Sequence, residues 1–172
     1  MALAVSLSRV TPRVGGGSAF FVRRLSLHTQ MKPKIEKLTD KENAWIAAQL
    51  QGAAKLVDIF VPEATGQPLT LAALDQAFAV WFASSPNDPQ IINAVINRVG
   101  VAFGQLLVAG IGLSWVIATD EHGSDLAVHG LPGRGDVLVF PANFVAKRWE
   151  KQETHFLETA YQQIAEQVRT LK

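Results

Sequence analysis

The chain of 172 residues carries 16 basic and 15 acidic side chains, four tryptophans and no cysteine; 48% of its residues are apolar and 18% charged. That length and apolar share describe one folded domain with a sizeable core rather than a disordered tail. The lack of cysteine excludes disulfides, thiolate zinc sites, iron–sulfur clusters and cysteine nucleophiles, and a formal charge of +1 gives no footing for nucleic-acid binding.

The charge is unevenly placed. Residues 1–35 contain no Asp or Glu, whereas Arg9, Arg13, Arg23 and Arg24 all fall in the first 30 positions. Residues 31–172 hold 12 basic and 15 acidic groups, a net of −3. The leader is also rich in Ser and Gly, the composition of an organellar transit peptide, and its arginines interrupt any apolar core that a secretory signal would need. The competing reading takes Met31-Lys32-Pro33-Lys34 as the natural translation start and is preferred. On both readings residues 1–30 are a basic leader, disordered or missing from the mature protein, and residues 31–172 form a single domain. The expected location is the cytoplasm, or the mitochondrial matrix if the leader is a transit peptide.

Regular elements begin at Thr39. Thr39-Asp40-Lys41-Glu42 fits a capping box, in which Thr and Glu side chains satisfy each other's free amides. Trp45, Ala48, Ala53, Leu56, Val57 and Phe60 then recur at helical spacing until Pro62. A second helix carries Leu71, Leu74, Phe78, Trp81 and Phe82, and Ser84-Ser85-Pro86-Asn87 breaks it. Asp88-Pro89 is a start signal for a third, with Ile92, Val95, Ile96, Val99, Phe103, Leu106 and Leu107 on its stripe and Gly110 and Gly112 at its end.

The pattern then changes to short branched runs. Leu113–Thr119, Asp125–His129 and Val137–Phe140 read as strands joined by turns at Asp120–Gly123 and Gly130–Gly135, an antiparallel meander. Pro141 interrupts the sheet, and a C-terminal helix carries Phe156, Ala160, Ile164 and Val168. Three N-terminal helices, a three-stranded antiparallel meander and a C-terminal helix make an α+β fold.

Val99–Thr119 is also a 21-residue run without charge, bounded by Arg98 and Asp120, which is the length of a membrane span. Gly100-x-x-x-Gly104 adds the spacing at which membrane helices touch. Four glycines, the polar Gln105 and the absence of basic anchors weigh against this single-span reading. A buried helix running into a buried strand is preferred.

Several pieces of this region stand in a distinctive order: Gly100-x-x-x-Gly104-x-x-Leu107, a strand centred on Trp115, Asp120-Glu121-x-Gly123, Phe140-Pro141 and Lys147-Arg148-x-Glu150. Over about residues 88–156 they resemble an uncharacterised, mainly bacterial domain-of-unknown-function family. The resemblance implies a soluble intracellular domain and carries no known activity.

Candidate chemistry gathers at two places. Asp120, Glu121 and His122 are adjacent, but neighbours in a turn diverge, so a structural turn is preferred to a metal or acid–base site. Lys147-Arg148 with Glu150 could grip a phosphate or carboxylate, Arg bidentately and Lys as a point charge. An ion pair from Arg148 or Lys147 to Asp120 or Glu121, tying the hairpin to the helix, is the preferred reading. Arg134-Gly135-Asp136 and the glycines at 130, 133 and 135 carry no ligand signature in this context, and His129 and His155 lack metal-ligand spacing. The candidate ligand or interaction site is therefore Trp115, Asp120, Glu121, Lys147, Arg148 and Glu150, with no metal, no cofactor and no assigned catalytic residue. The leading expectation is a non-enzymatic protein-interaction module working through the hairpin, with an unknown protein as partner. The alternative is an enzyme or sensor of a small anion using Lys147 and Arg148.

Overall fold

A computed structural model of the chain describes residues 32–172, so the expectations for the leader lie outside the described residues. In chain order the elements are β1 (Lys34–Glu36), α1 (Asp40–Phe60), a 3₁₀ turn (Pro62–Ala64), α2 (Leu71–Ala83), α3 (Pro89–Ile111), β2 (Ser114–Asp120), β3 (Gly123–Gly130), β4 (Val137–Val139), α4 (Pro141–Glu150) and α5 (Leu157–Leu171). The class is α+β, as the pattern implies. The strands form one antiparallel sheet in the order β1-β2-β3-β4.

Local signals place most boundaries. Thr39 and Glu42 close the capping box of α1, with the Thr39 amide donating to Glu42 Oε2 at 2.6 Å. Asp88 caps α3 by accepting from the Gln90 amide at 2.8 Å, and Pro89 occupies the first turn, where a missing N–H costs nothing. Gly112, at φ 76°, ends α3 in the left-handed conformation that a residue with a Cβ adopts only at a cost. The charge-free run 99–119 is therefore not one helix: it divides at Gly112 into the end of α3 and most of β2. Among the described residues α3 alone is long and apolar enough to cross a membrane, and half of its apolar window is buried inside the fold.

Three expectations need correction. The sheet has four strands, because Lys34–Glu36 pairs with Glu36 opposite Ile117 and Lys34 opposite Thr119. Three exposed residues carry no apolar alternation, so nothing local announces that strand. The C-terminal region forms two helices, and Pro141 is the first residue of α4 rather than a mere interruption of the sheet. Gly110 lies inside α3, where the Tyr161 hydroxyl occupies the space that a Cβ would need; the glycine makes room for α5 and does not stop the helix.

The main core lies between the helices and one face of the sheet. Leu74, Phe78, Val99, Phe103, Leu107, Val128, Val145 and Leu157 are fully or almost fully buried there. A second, smaller cluster of Val116, Ala118, Ala127 and Leu138 occupies the other face, as the alternation of side chains along a strand requires. The α3–α4 seam depends on small residues. A Cβ on Gly100 would fall 2.5 Å from Ala142 Cα, and one on Gly104 would overlap Trp115 Cη2 and fall 2.9 Å from Pro141 Cγ. The Gly-x-x-x-Gly spacing thus serves close packing within this fold.

Candidate functional site

Two of the predicted site residues, Trp115 and Asp120, do not share a face of the sheet. Trp115 and Asp120 stand five positions apart on β2, about 16 Å along the strand and, by the alternation of side chains, on opposite faces. Trp115 packs over Gly104, and its indole N–H donates to Gln105 Oε1 at 3.0 Å. That bond answers the one polar group of the apolar stretch of α3 and ties the helix to the sheet.

Asp120 ends β2, and its Oδ1 accepts the His122 amide at 2.8 Å, the local bond by which an aspartate shapes a tight turn. Glu121 and His122 sit at the tip, with side chains 74% and 76% exposed, and His122 Nε2 lies 3.4 Å from Glu121 Oε1. The structural turn is what forms. Behind it, Thr119 and Ser124 join hydroxyls at 2.8 Å across the hairpin.

Lys147 and Arg148 both belong to α4, where consecutive residues project about 100° apart. Burial pushes the Lys147 ammonium below its ordinary pKa, against the favourable charge of Glu150, while Lys151 lowers it further. Arg148 lies over the Phe144 ring, 4.9 Å from its centroid, and forms an ion pair with Glu153. The hydrogen bond from Arg148, more than its charge, holds the Glu153 carboxyl below the ordinary range. Glu150 is exposed at the last turn of α4. Trp149, a possible flank of such a site, belongs instead to the core aromatics: its ring lies 5.1 Å from both Trp81 and Phe82.

Two features were not foreseen. Asp75, on α2, is 6% exposed and reaches the first turn of α5, accepting from the amides of Phe156 (3.1 Å), Leu157 (3.1 and 3.0 Å) and Glu158 (3.2 Å). A buried carboxylate with three amide donors is satisfied, and it complements the positive end of the helix. The second is the connector between α4 and α5, which bends through Gln152 and His155 at φ 58° and 56°. Backbone bonds from Gln152 to Trp149 O (3.0 Å) and from Glu153 to Arg148 O (2.9 Å) hold it in place. Beside it open two clefts. A cleft of about 560 Å³ lies between α2 and α5, and one of about 270 Å³ involves Arg148, Glu153 and Thr154; His155 and Thr159 line both.

Among the described residues no group of three His, Cys, Asp or Glu side chains could hold a metal ion. His129 instead faces Asp136 at 3.5 Å, and Lys32 approaches the other Asp136 oxygen at 3.6 Å. The Gly133 amide is the main cause that lowers the Asp136 pKa.

No curated protein matches the chain. Its fold is similar to that of a protein from Bacteroides thetaiotaomicron VPI-5482, known from a crystal structure at 1.50 Å resolution. The TM-score is 0.56 at 12% identity, covering 77% of this chain and 47% of that one, so this chain spans about half of that protein and the likeness shows the fold alone. Residues 83–161, from the end of α2 into α5, match the family described as "Domain of unknown function (DUF3806)", and it is to this uncharacterised family that the ordered motifs from Gly100 to Glu150 point.

Proposed function

We propose that the domain is a non-catalytic protein-interaction module, soluble and cytoplasmic, whose contact surface is the β2–β3 hairpin with its neighbouring charged residues. The observation that carries this reading is the exposed tip of the hairpin, with Trp115 five positions from Asp120 and on the opposite face of β2. Trp115 is committed to Gln105, Asp120 to its own turn and Arg148 to Glu153, while Glu121 and His122 stand clear of the body of the fold. An acid–base or nucleophilic site requires its groups within hydrogen-bond reach of one reacting atom, and Trp115 and Asp120 point to opposite faces of the sheet. The small-anion alternative asks Arg148 to exchange Glu153 for a ligand, at the cost of an ion pair it already holds.

Photo-crosslinking tests the proposal. A benzophenone amino acid at position 121 or 122, in cells making the full chain, is expected to yield one discrete adduct, the same from both positions. The same label at Lys55, on the exposed side of α1, is expected to yield none. No adduct at the hairpin, together with thermal stabilisation by phosphate or a carboxylate that Arg148→Ala abolishes, would overturn the proposal in favour of the anion reading.

A further inference from the structure

We infer that the groove between α2 and α5, continued beneath the α4–α5 connector, binds a neutral polyhydroxylated small molecule of the size of a mono- or disaccharide. The groove has the dimensions: clefts of about 560 and 270 Å³ meet at His155 and Thr159, within the usual range of small-molecule sites taken together. Its walls are two polar stripes at helical spacing, Asp75 and Gln76 on α2 against Glu158, Thr159, Gln162 and Gln163 on α5.

The chemistry of those walls selects the ligand class. Gln76, Gln162 and Gln163 each present donors and an acceptor, Thr159 a hydroxyl that does both, and His155 one of each when neutral. None of these five side chains has a hydrogen-bond partner among the described residues, in contrast to Trp115, Asp120 and Arg148. Hydroxyl groups, which also donate and accept, match such a surface without an ionic partner. An anion does not. The amides at the start of α5 that would attract one are taken by Asp75, Glu158 adds a second negative charge, and the nearest guanidinium is neutralised by Glu153. A cation finds one open carboxylate, that of Glu158, because both Asp75 oxygens are taken by helix amides, and no group of three metal-ligating side chains gathers among the described residues.

The connector sets the junction of the two clefts. A non-glycine residue at positive φ costs about 1 kcal/mol or more, and here two occur within four positions, Gln152 and His155. The backbone bonds to Trp149 and Arg148 hold the conformation at Gln152, and His155, two residues past Glu153, lines both clefts.

The test is a titration of the ¹⁵N-labelled full chain with glucose, galactose, N-acetylglucosamine and sucrose, with inorganic phosphate and acetate as the anionic arm. Expected are saturable shifts of the amides from Thr154 to Gln163 and from Ala72 to Gln76 by at least one sugar, with a Kd of about 1 mM. The Gln76→Ala/Gln162→Ala variant, altered only at exposed positions, should bind at least tenfold more weakly with its other resonances unmoved. Saturation transfer from wild-type protein to the sugar protons gives a second reading independent of the variant. No saturable shift and no transfer with any of the four sugars would overturn the inference. So would shifts at these amides caused by phosphate alone, or unchanged affinity in the folded double variant.

Discussion

Replacing Asp75 by Ala should be the most damaging change to a single polar side chain in the described fold. The carboxylate is 6% exposed and accepts from three consecutive amides, those of Phe156, Leu157 and Glu158. Phe156 and Leu157 are themselves buried, at 8% and 0% exposure, so water cannot replace the lost acceptor for their amides. Two orphaned buried donors at about 1–3 kcal/mol each put the loss at roughly 2–6 kcal/mol, with the third amide served by solvent. For a domain of this size a loss of about 3 kcal/mol lowers Tm by roughly 10 °C. Asp75→Asn keeps one oxygen but turns an amide group with its own hydrogens toward the helix amides, so it should fall between wild type and Ala. Urea unfolding followed by tryptophan fluorescence measures all three proteins, and the slope of ΔG against urea should stay constant. A loss below about 1 kcal/mol for Asp75→Ala, or an Asn variant as stable as wild type, would refute the view that this carboxylate joins α2 to α5.

Gly104→Ala forces a methyl group against the Trp115 ring and Pro141, and overpacking of a rigid seam should cost about 1–3 kcal/mol in the same urea assay. Trp115→Phe keeps the aromatic packing but strands Gln105 Oε1, so a loss of about 1 kcal/mol is expected, smaller in a Trp115→Phe/Gln105→Leu double variant than the single losses combined. Arg148 lowers the Glu153 pKa, so the folded state favours the ionised carboxylate, and the pair stabilises above the ordinary value of 4.5 and loses that contribution as pH falls through the lowered one. Glu153→Gln should therefore be less stable than wild type at pH 7, by at most about 1 kcal/mol for so exposed a group, and equal to it near pH 2. A difference that persists unchanged in acid would place the effect outside the ion pair.

Much of the architecture was legible because its causes are local. Thr39, Asp88 and Gly112 act through bonds and torsions within a few residues, so α1 and α3 begin or end where the chain says they should. The Asp120–Gly123 turn was likewise readable from its own side chains. What escaped depends on distant partners. β1 exists because β2 offers it an edge, and Asp75 reads as an ordinary polar interruption of an apolar helix until the start of α5 is brought to it from about 80 residues away. Lys147 and Arg148 stand out in the sequence as adjacent cations, yet one partner of Arg148 is Glu153, just past the positive φ of Gln152 that ends α4. For the polar residues of α2 and α5, sequence periodicity says which side each takes and not what stands opposite.

The three residues of β1 also act as a guard. β2 is seven residues long and carries a continuous apolar run from Trp115 to Ala118, the kind of strand whose open edge recruits another chain into a growing sheet. β1 covers Ile117 to Thr119 of that edge with Lys34-Ile35-Glu36, a segment too short and too charged to extend the sheet further. Because so few bonds hold it, its amides should exchange with solvent through local opening, far sooner than those of the β2–β3 ladder. Conditions that release β1 without unfolding the rest would then raise the tendency to aggregate before any loss of helical structure, and would make this short strand the kinetic weak point of a stable fold.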